Sequence, residues 1–127
     1  MIVNIPISLG ELIDKISILL IKEKNISDEK KLSKIREELS LLKKTLNHKI
    51  NDNNIKNYLN KLVEINTKLW KIEDDIRDCE RSKKFDKIFI DLARSVYITN
   101  DKRSQIKNEI NKKFDSAIVE IKSYKQY

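Results

Sequence analysis

A mainly α fold is what this sequence predicts: an antiparallel bundle of about four long helices, with a small two-stranded sheet formed by the N- and C-terminal segments. Three observations predict it. One Gly and one Pro in 127 residues leave few places to break a helix. Apolar residues recur three and four apart through most of the chain, which is the helical period. The two ends instead alternate apolar and polar side chains. With 39% hydrophobic and 37% charged residues in register, the chain reads as a folded single domain, 1–127, rather than a disordered one.

The elements follow in order. Val3, Ile5 and Ile7 alternate with Ile2, Asn4 and Pro6, an edge strand because Pro6 has no N–H to donate. Ser8-Leu9-Gly10-Glu11 is a capping box: the Ser8 hydroxyl takes the Glu11 N–H and the Glu11 carboxylate reaches back. A first helix then carries Leu9, Leu12, Ile13, Ile16, Leu19 and Leu20 on one face. Asn25-Ile26-Ser27-Asp28 breaks it and caps a second helix with Leu32, Ile35, Leu39, Leu42 and Leu46. After a polar turn from Asn47 to Asn54, a third helix runs on Ile55, Tyr58, Leu62, Ile65, Leu69, Ile72, Ile76 and Cys79. Arg81-Ser82-Lys83-Lys84 is the next turn. Phe85, Ile88, Phe89, Leu92 and Val96 begin a phase that continues through Thr99 and Arg103 to Phe114, one long helix with a candidate kink at Asn100-Asp101. Val119 and Ile121 alternate with Glu120 and Lys122 in a last strand, expected to pair with the first.

Composition excludes several functions. No apolar run approaches the length of a membrane span, and the opening residues lack the basic start of a secretory signal, so a cytoplasmic protein is expected. The net charge of +7 permits contact with nucleic acid, but the lysines are spread over every helix, and nucleic acid is disfavoured as a partner. One Gly rules out a glycine-rich phosphate loop. One His, in an Asn/Lys turn, rules out a His-based metal site or a catalytic triad. No metal site and no cofactor are expected; Mg²⁺ enters only if Glu11, Asp14 or the Glu73-Asp74-Asp75 run were ligands.

The arginines point to the region of interest. Four of the five fall between Arg77 and Arg103, in a chain whose other cations are lysines. Lys replaces Arg as a bare charge but not as a planar fork, so arginines kept in such a background are held by geometry. Arg103 falls on the core phase, and an arginine there needs a partner: Asp101, Glu64 and Asn66 in the same hairpin, or Glu11 and Asp14 on the first helix. A second stripe, about 100° round the third helix, carries Trp70, Glu73, Asp74, Arg77 and Arg81, with Glu73 and Arg77 four apart in the favourable order. Asp91, Arg94 and Tyr97 are its counterparts on the fourth.

These residues also carry a resemblance. Pro6-Ile7-Ser8-Leu9-Gly10-Glu11-Leu12-Ile13-Asp14-Lys15, Leu69-Trp70 with Ile72-Glu73-Asp74 and Arg77, Ala93-Arg94-Ser95-Val96-Tyr97 with Asn100-Asp101 and Arg103, and Lys122-Ser123-Tyr124 resemble the blocks of a bacterial domain family of unknown function. The resemblance implies no reaction; by association with sugar-transfer genes it implies a tie to surface-polysaccharide synthesis. Ile121 stands where that pattern leads one to expect an acid.

Together the blocks and the charge pattern define a candidate network of Glu11, Asp14, Lys15, Asn66, Trp70, Glu73, Asp74, Arg77, Arg94, Tyr97, Asn100, Asp101 and Arg103. It is either an anion-binding site or a structural lock. The first functional reading is a non-enzymatic accessory or interaction module that self-associates or binds a protein. The alternative is a binding protein or enzyme for a small anionic metabolite, a phosphorylated sugar or nucleotide, and enzyme status stays open.

Overall fold

A computed structural model describes residues 1–127. Its elements are four helices, α1 (Leu9–Asn25), α2 (Glu29–Lys49), α3 (Asn54–Ser82) and α4 (Lys87–Lys113). Helix α1 packs against all three others, α3 and α4 pack on each other, and α2 lies along α1 alone. The reason is in the sequence of α1. Leu12, Ile13, Ile16, Leu19 and Ile21 are buried on more than one side of it, and a helix apolar over so wide an arc has to be surrounded. The core joins these residues to Ile35, Leu39 and Leu46 of α2, Ile55 and Leu62 of α3, and Ile110 of α4.

Caps set the boundaries. The Ser8 hydroxyl accepts the Glu11 N–H at 3.1 Å and starts α1, Asp28 starts α2, and Asp86 accepts from the N–H groups of Ile88 and Phe89 to start α4. Only half of the expected capping box forms, because the Glu11 carboxylate turns away to Lys107, 2.7 Å distant. Helix α3 ends in a left-handed residue, Lys83 (φ 54°), with the Lys84 N–H returning to the Cys79 carbonyl. Helix α4 is continuous, without a break at Asn100-Asp101.

Gly10 sets how closely α1 and α4 approach. A Cβ there would lie 2.5 Å from the Lys107 carbonyl oxygen, and the Gly10 N–H donates to Asn111 Oδ1 at 2.7 Å. Gly10 opposite Asn111 and Asp14 opposite Arg103 make α1 antiparallel to α4, and therefore parallel to α3.

The two-stranded sheet is not found. Neither end of the chain forms a strand. The two segments touch at one point, where the Leu9 N–H donates to the Ser116 hydroxyl at 3.1 Å, and then part. A two-stranded ribbon is marginal in water, and this one would have no apolar face to rest on: Val3, Ile5, Val119 and Ile121 are all exposed. Asp115, at φ 52°, turns the chain instead. The tail then runs back along α4, its Glu120 3.1 Å from Lys107, the Tyr124 hydroxyl donating to Asp101 at 3.0 Å, and Tyr127 edge-on to Tyr97.

The helices differ in reach. At 1.5 Å per residue, α1 is about 25 Å long and α3 about 43 Å. Ile21, near the end of α1, is level with Leu69–Arg77 of α3 and with Val96 of α4. Beyond that level α3 and α4 continue as a two-helix hairpin that α2 does not touch.

Candidate functional site

The buried polar groups gather where α1 crosses the α3–α4 hairpin. Asp14 is 0% exposed. Both its carboxylate oxygens accept from Arg103, Oδ1 from Nε at 3.0 Å and Oδ2 from Nη2. Asn66 Nδ2 donates to Asp14 Oδ1 at 2.8 Å and to the Ser17 hydroxyl at 2.7 Å, while that hydroxyl donates to the Asp14 carbonyl at 2.6 Å. Arg103 Nη1 donates to Asn100 Oδ1 at 3.3 Å. Three helices are thus tied by one carboxylate. Its bidentate partner is the fork geometry that a lysine cannot supply. Hydrogen bonding to Asp14 raises the Arg103 guanidinium further above its ordinary value, against desolvation.

One turn further along α4 lies a second closed set. The Lys107 ammonium, almost fully buried, bridges Glu11 at 2.7 Å and Glu120 at 3.1 Å. Desolvation pulls its pKa down, but hydrogen bonds to the two carboxylates outweigh that and carry it upward. Glu120 is lowered, chiefly by its bond to Lys122, with Lys107 adding to it.

Above the Asp14 network a cleft of about 600 Å³ opens toward the hairpin. Ile18 and Ile21 of α1 form one wall; Asn66, Leu69, Trp70, Glu73, Asp74 and Arg77 of α3 form another; Val96, Asn100 and Arg103 of α4 close it. Arg77 is held by Glu73 at 2.6 Å on its own helix. Asp74 has no cationic partner.

The sequence-predicted residues therefore divide. Asn66, Trp70, Glu73, Asp74, Arg77, Asn100 and Arg103 share the cleft, and Asp14 lies directly beneath it. Of the partners considered for Arg103, Asp14 is the one that holds it. The rest lie elsewhere: Glu11 is on Lys107, Lys15 is exposed, and Asp101 receives Tyr124. Arg94 is fully exposed, its guanidinium raised by hydrogen bonding to Tyr97 rather than by any carboxylate of the cleft. The acidic runs do not converge either: no three His, Cys, Asp or Glu side chains are placed to hold a metal ion.

Ser17, Lys107 and Asn111 were missed. Each had a signal, since Asp14 and Ser17 are polar residues three apart within the apolar arc of α1, and Lys107 and Asn111 follow Arg103 at the four-residue spacing of one buried face.

No curated protein and no solved structure matches the chain significantly. Residues 2–127 match the family described as a family of unknown function (DUF6165). The opening block, the Trp stripe and the Arg-rich stretch that build the cleft all fall inside that match, and the chain belongs to this family.

Proposed function

We propose that the protein is a non-enzymatic cytoplasmic interaction module that pairs with a second copy of itself through the tip of the α3–α4 hairpin. The observation that carries this reading is the tip itself. Phe85, Ile88 and Ile90 are 50%, 65% and 53% exposed there, on the end of the hairpin that lies beyond α1 and α2. Apolar side chains grouped at one end of a soluble molecule favour a partner.

Charge selects the partner. Seven acidic and seven basic side chains between Lys71 and Arg94 cancel, so the whole +7 resides outside the hairpin tip. Two copies meeting through their bodies would repel, whereas two tips present no net charge and alternating signs. A two-fold pairing of hairpins satisfies both conditions. The acid–base groups support a binding role as well, because Asp14, Arg103, Glu11, Lys107, Glu73 and Arg77 are each held by a group of opposite sign.

Sedimentation equilibrium from micromolar to sub-millimolar protein tests this. The chain is expected to be a dimer that Ile88→Lys with Ile90→Lys converts to a monomer of unchanged helicity. A wild-type chain that stays monomeric over that range overturns the reading. No helix is long and apolar enough to cross a membrane.

A further inference from the structure

The cleft above Asp14 has no role in that pairing, and its floor carries an unusual atom. Asn66 is only 6% exposed. The orientation of its amide is forced: the Asp14 carboxylate only accepts, and the Ser17 hydroxyl proton is directed at the Asp14 carbonyl. Both must therefore be met by the Asn66 NH₂ group. Its Oδ1 is turned away from them, toward the cleft that Asn66 lines, and no group of the protein donates to it. An acceptor fixed so firmly in a nine-tenths buried side chain is a preformed contact for something that enters.

The polar groups around it complete a pattern. Asn100 Oδ1 is taken by Arg103, which leaves the Asn100 NH₂ without a protein partner. The Trp70 indole N–H, a donor only, has none either. The cleft thus offers an acceptor and donors beside the apolar surfaces of Trp70, Leu69 and Val96. Asp14, Glu73 and Asp74 against Arg77 and Arg103 leave one negative charge, which disfavours an anion. The Arg103 fork is taken up by Asp14 and Asn100, and Arg77 is held by Glu73 through Nη1. A simple cation, which offers no acceptor, would leave the Asn100 NH₂ and the Trp70 N–H unmatched.

We infer that the cleft binds an uncharged, hydroxyl-rich ligand, a carbohydrate ring with its C–H face on Trp70 and its hydroxyls on Asn66 Oδ1 and the Asn100 amide. A hydroxyl both donates and accepts, which suits this mixed set better than a phosphate, an ammonium or a carboxylate. The volume, about 600 Å³, falls in the range of small-molecule sites.

Trp70 is the only tryptophan, so its fluorescence reports on this cleft alone. The full chain is titrated with methyl glucoside, methyl galactoside, N-acetylglucosamine and maltose, and in parallel with glucose 6-phosphate and adenosine, with saturation-transfer NMR as a second readout. At least one neutral saccharide is expected to bind saturably, with an affinity unchanged between low and high salt, and no tighter as its phosphate ester. Asn100→Ala, on an exposed side chain, should weaken binding about fivefold or more, as loss of one hydrogen bond does. Arg94→Ala should leave it unchanged. Binding by none of the neutral saccharides in either readout overturns the inference. So does tighter, salt-sensitive binding of glucose 6-phosphate, which would make this an anion site, or binding of adenosine alone.

Discussion

The base of the bundle and the tip of its hairpin are built from the same two helices, yet they are held by different forces. At the base, α1 inserts against α3 and α4, and Leu62, Ile110, Asp14 and Ser17 lose all contact with water. There a single carboxylate ties three helices, and a single ammonium ties α1, α4 and the tail. At the tip no residue between Glu73 and Tyr97 is buried. Its ion pairs, Glu73–Arg77, Asp78–Arg81 and Glu80–Lys83, lie within α3 or its cap and bridge no two elements. The long-range polar sets with several partners, at Asp14 and Lys107, are thus the buried ones, since a dry site makes an unpaired charge costly enough to enforce a partner. The base resists change; the tip is free to meet a partner.

Arg103→Ala should break the comparison most strongly. It strands a fully buried carboxylate, and about 3–5 kcal/mol of stability should be lost in denaturant unfolding. Replacing both partners with apolar residues, Asp14→Leu with Arg103→Met, should cost clearly less than the sum of the single changes, showing that the penalty is the uncompensated charge.

Gly10→Ala tests the close approach of α1 and α4. The new methyl meets main chain, not a flexible side chain, so the helices must separate. A loss of about 1–3 kcal/mol is expected, as for other overpacked interiors, with faster amide exchange at the base.

Lys83→Gly acts at the other end and with the opposite sign. The left-handed backbone at φ 54° disfavours a side chain, and glycine there should stabilise the chain by about 0.5–1 kcal/mol. Amide exchange should slow in the hairpin tip.

The smallest effect is one of pH. The folded-state pKa of Glu120 is lowered, so its contribution is present above the ordinary carboxylate value, about 4.3, and is lost as pH falls through the lowered value. Melting temperatures of wild type and Glu120→Gln should therefore differ at neutral pH and converge on acidification. A gap that persists in acid would show that the tail is held by something other than this carboxylate.

Much of this was legible in the residues. The helices and most of their turns followed from apolar spacing and from Ser8 and Asp28 as caps, because both signals act within a few residues. Arg103 announced its own burial by standing on an apolar phase, though five partners were compatible with it. The termini misled for a related reason. Alternation in residues 1–7 and 117–124 describes a strand only if an apolar surface exists for one face to cover, and none does.

By itself, then, the sequence determined the helical class, the order of the four helices and the stretch that would carry the arginines, since propensity, capping and amphipathic period are local properties. Tertiary structure alone decided that Asp14 rather than Glu11 meets Arg103, that Glu11 is drawn from its cap to Lys107, and that the tail lies along α4. Those choices depend on which groups lose water together when α1 settles between its neighbours, and no single segment of the chain carries that information.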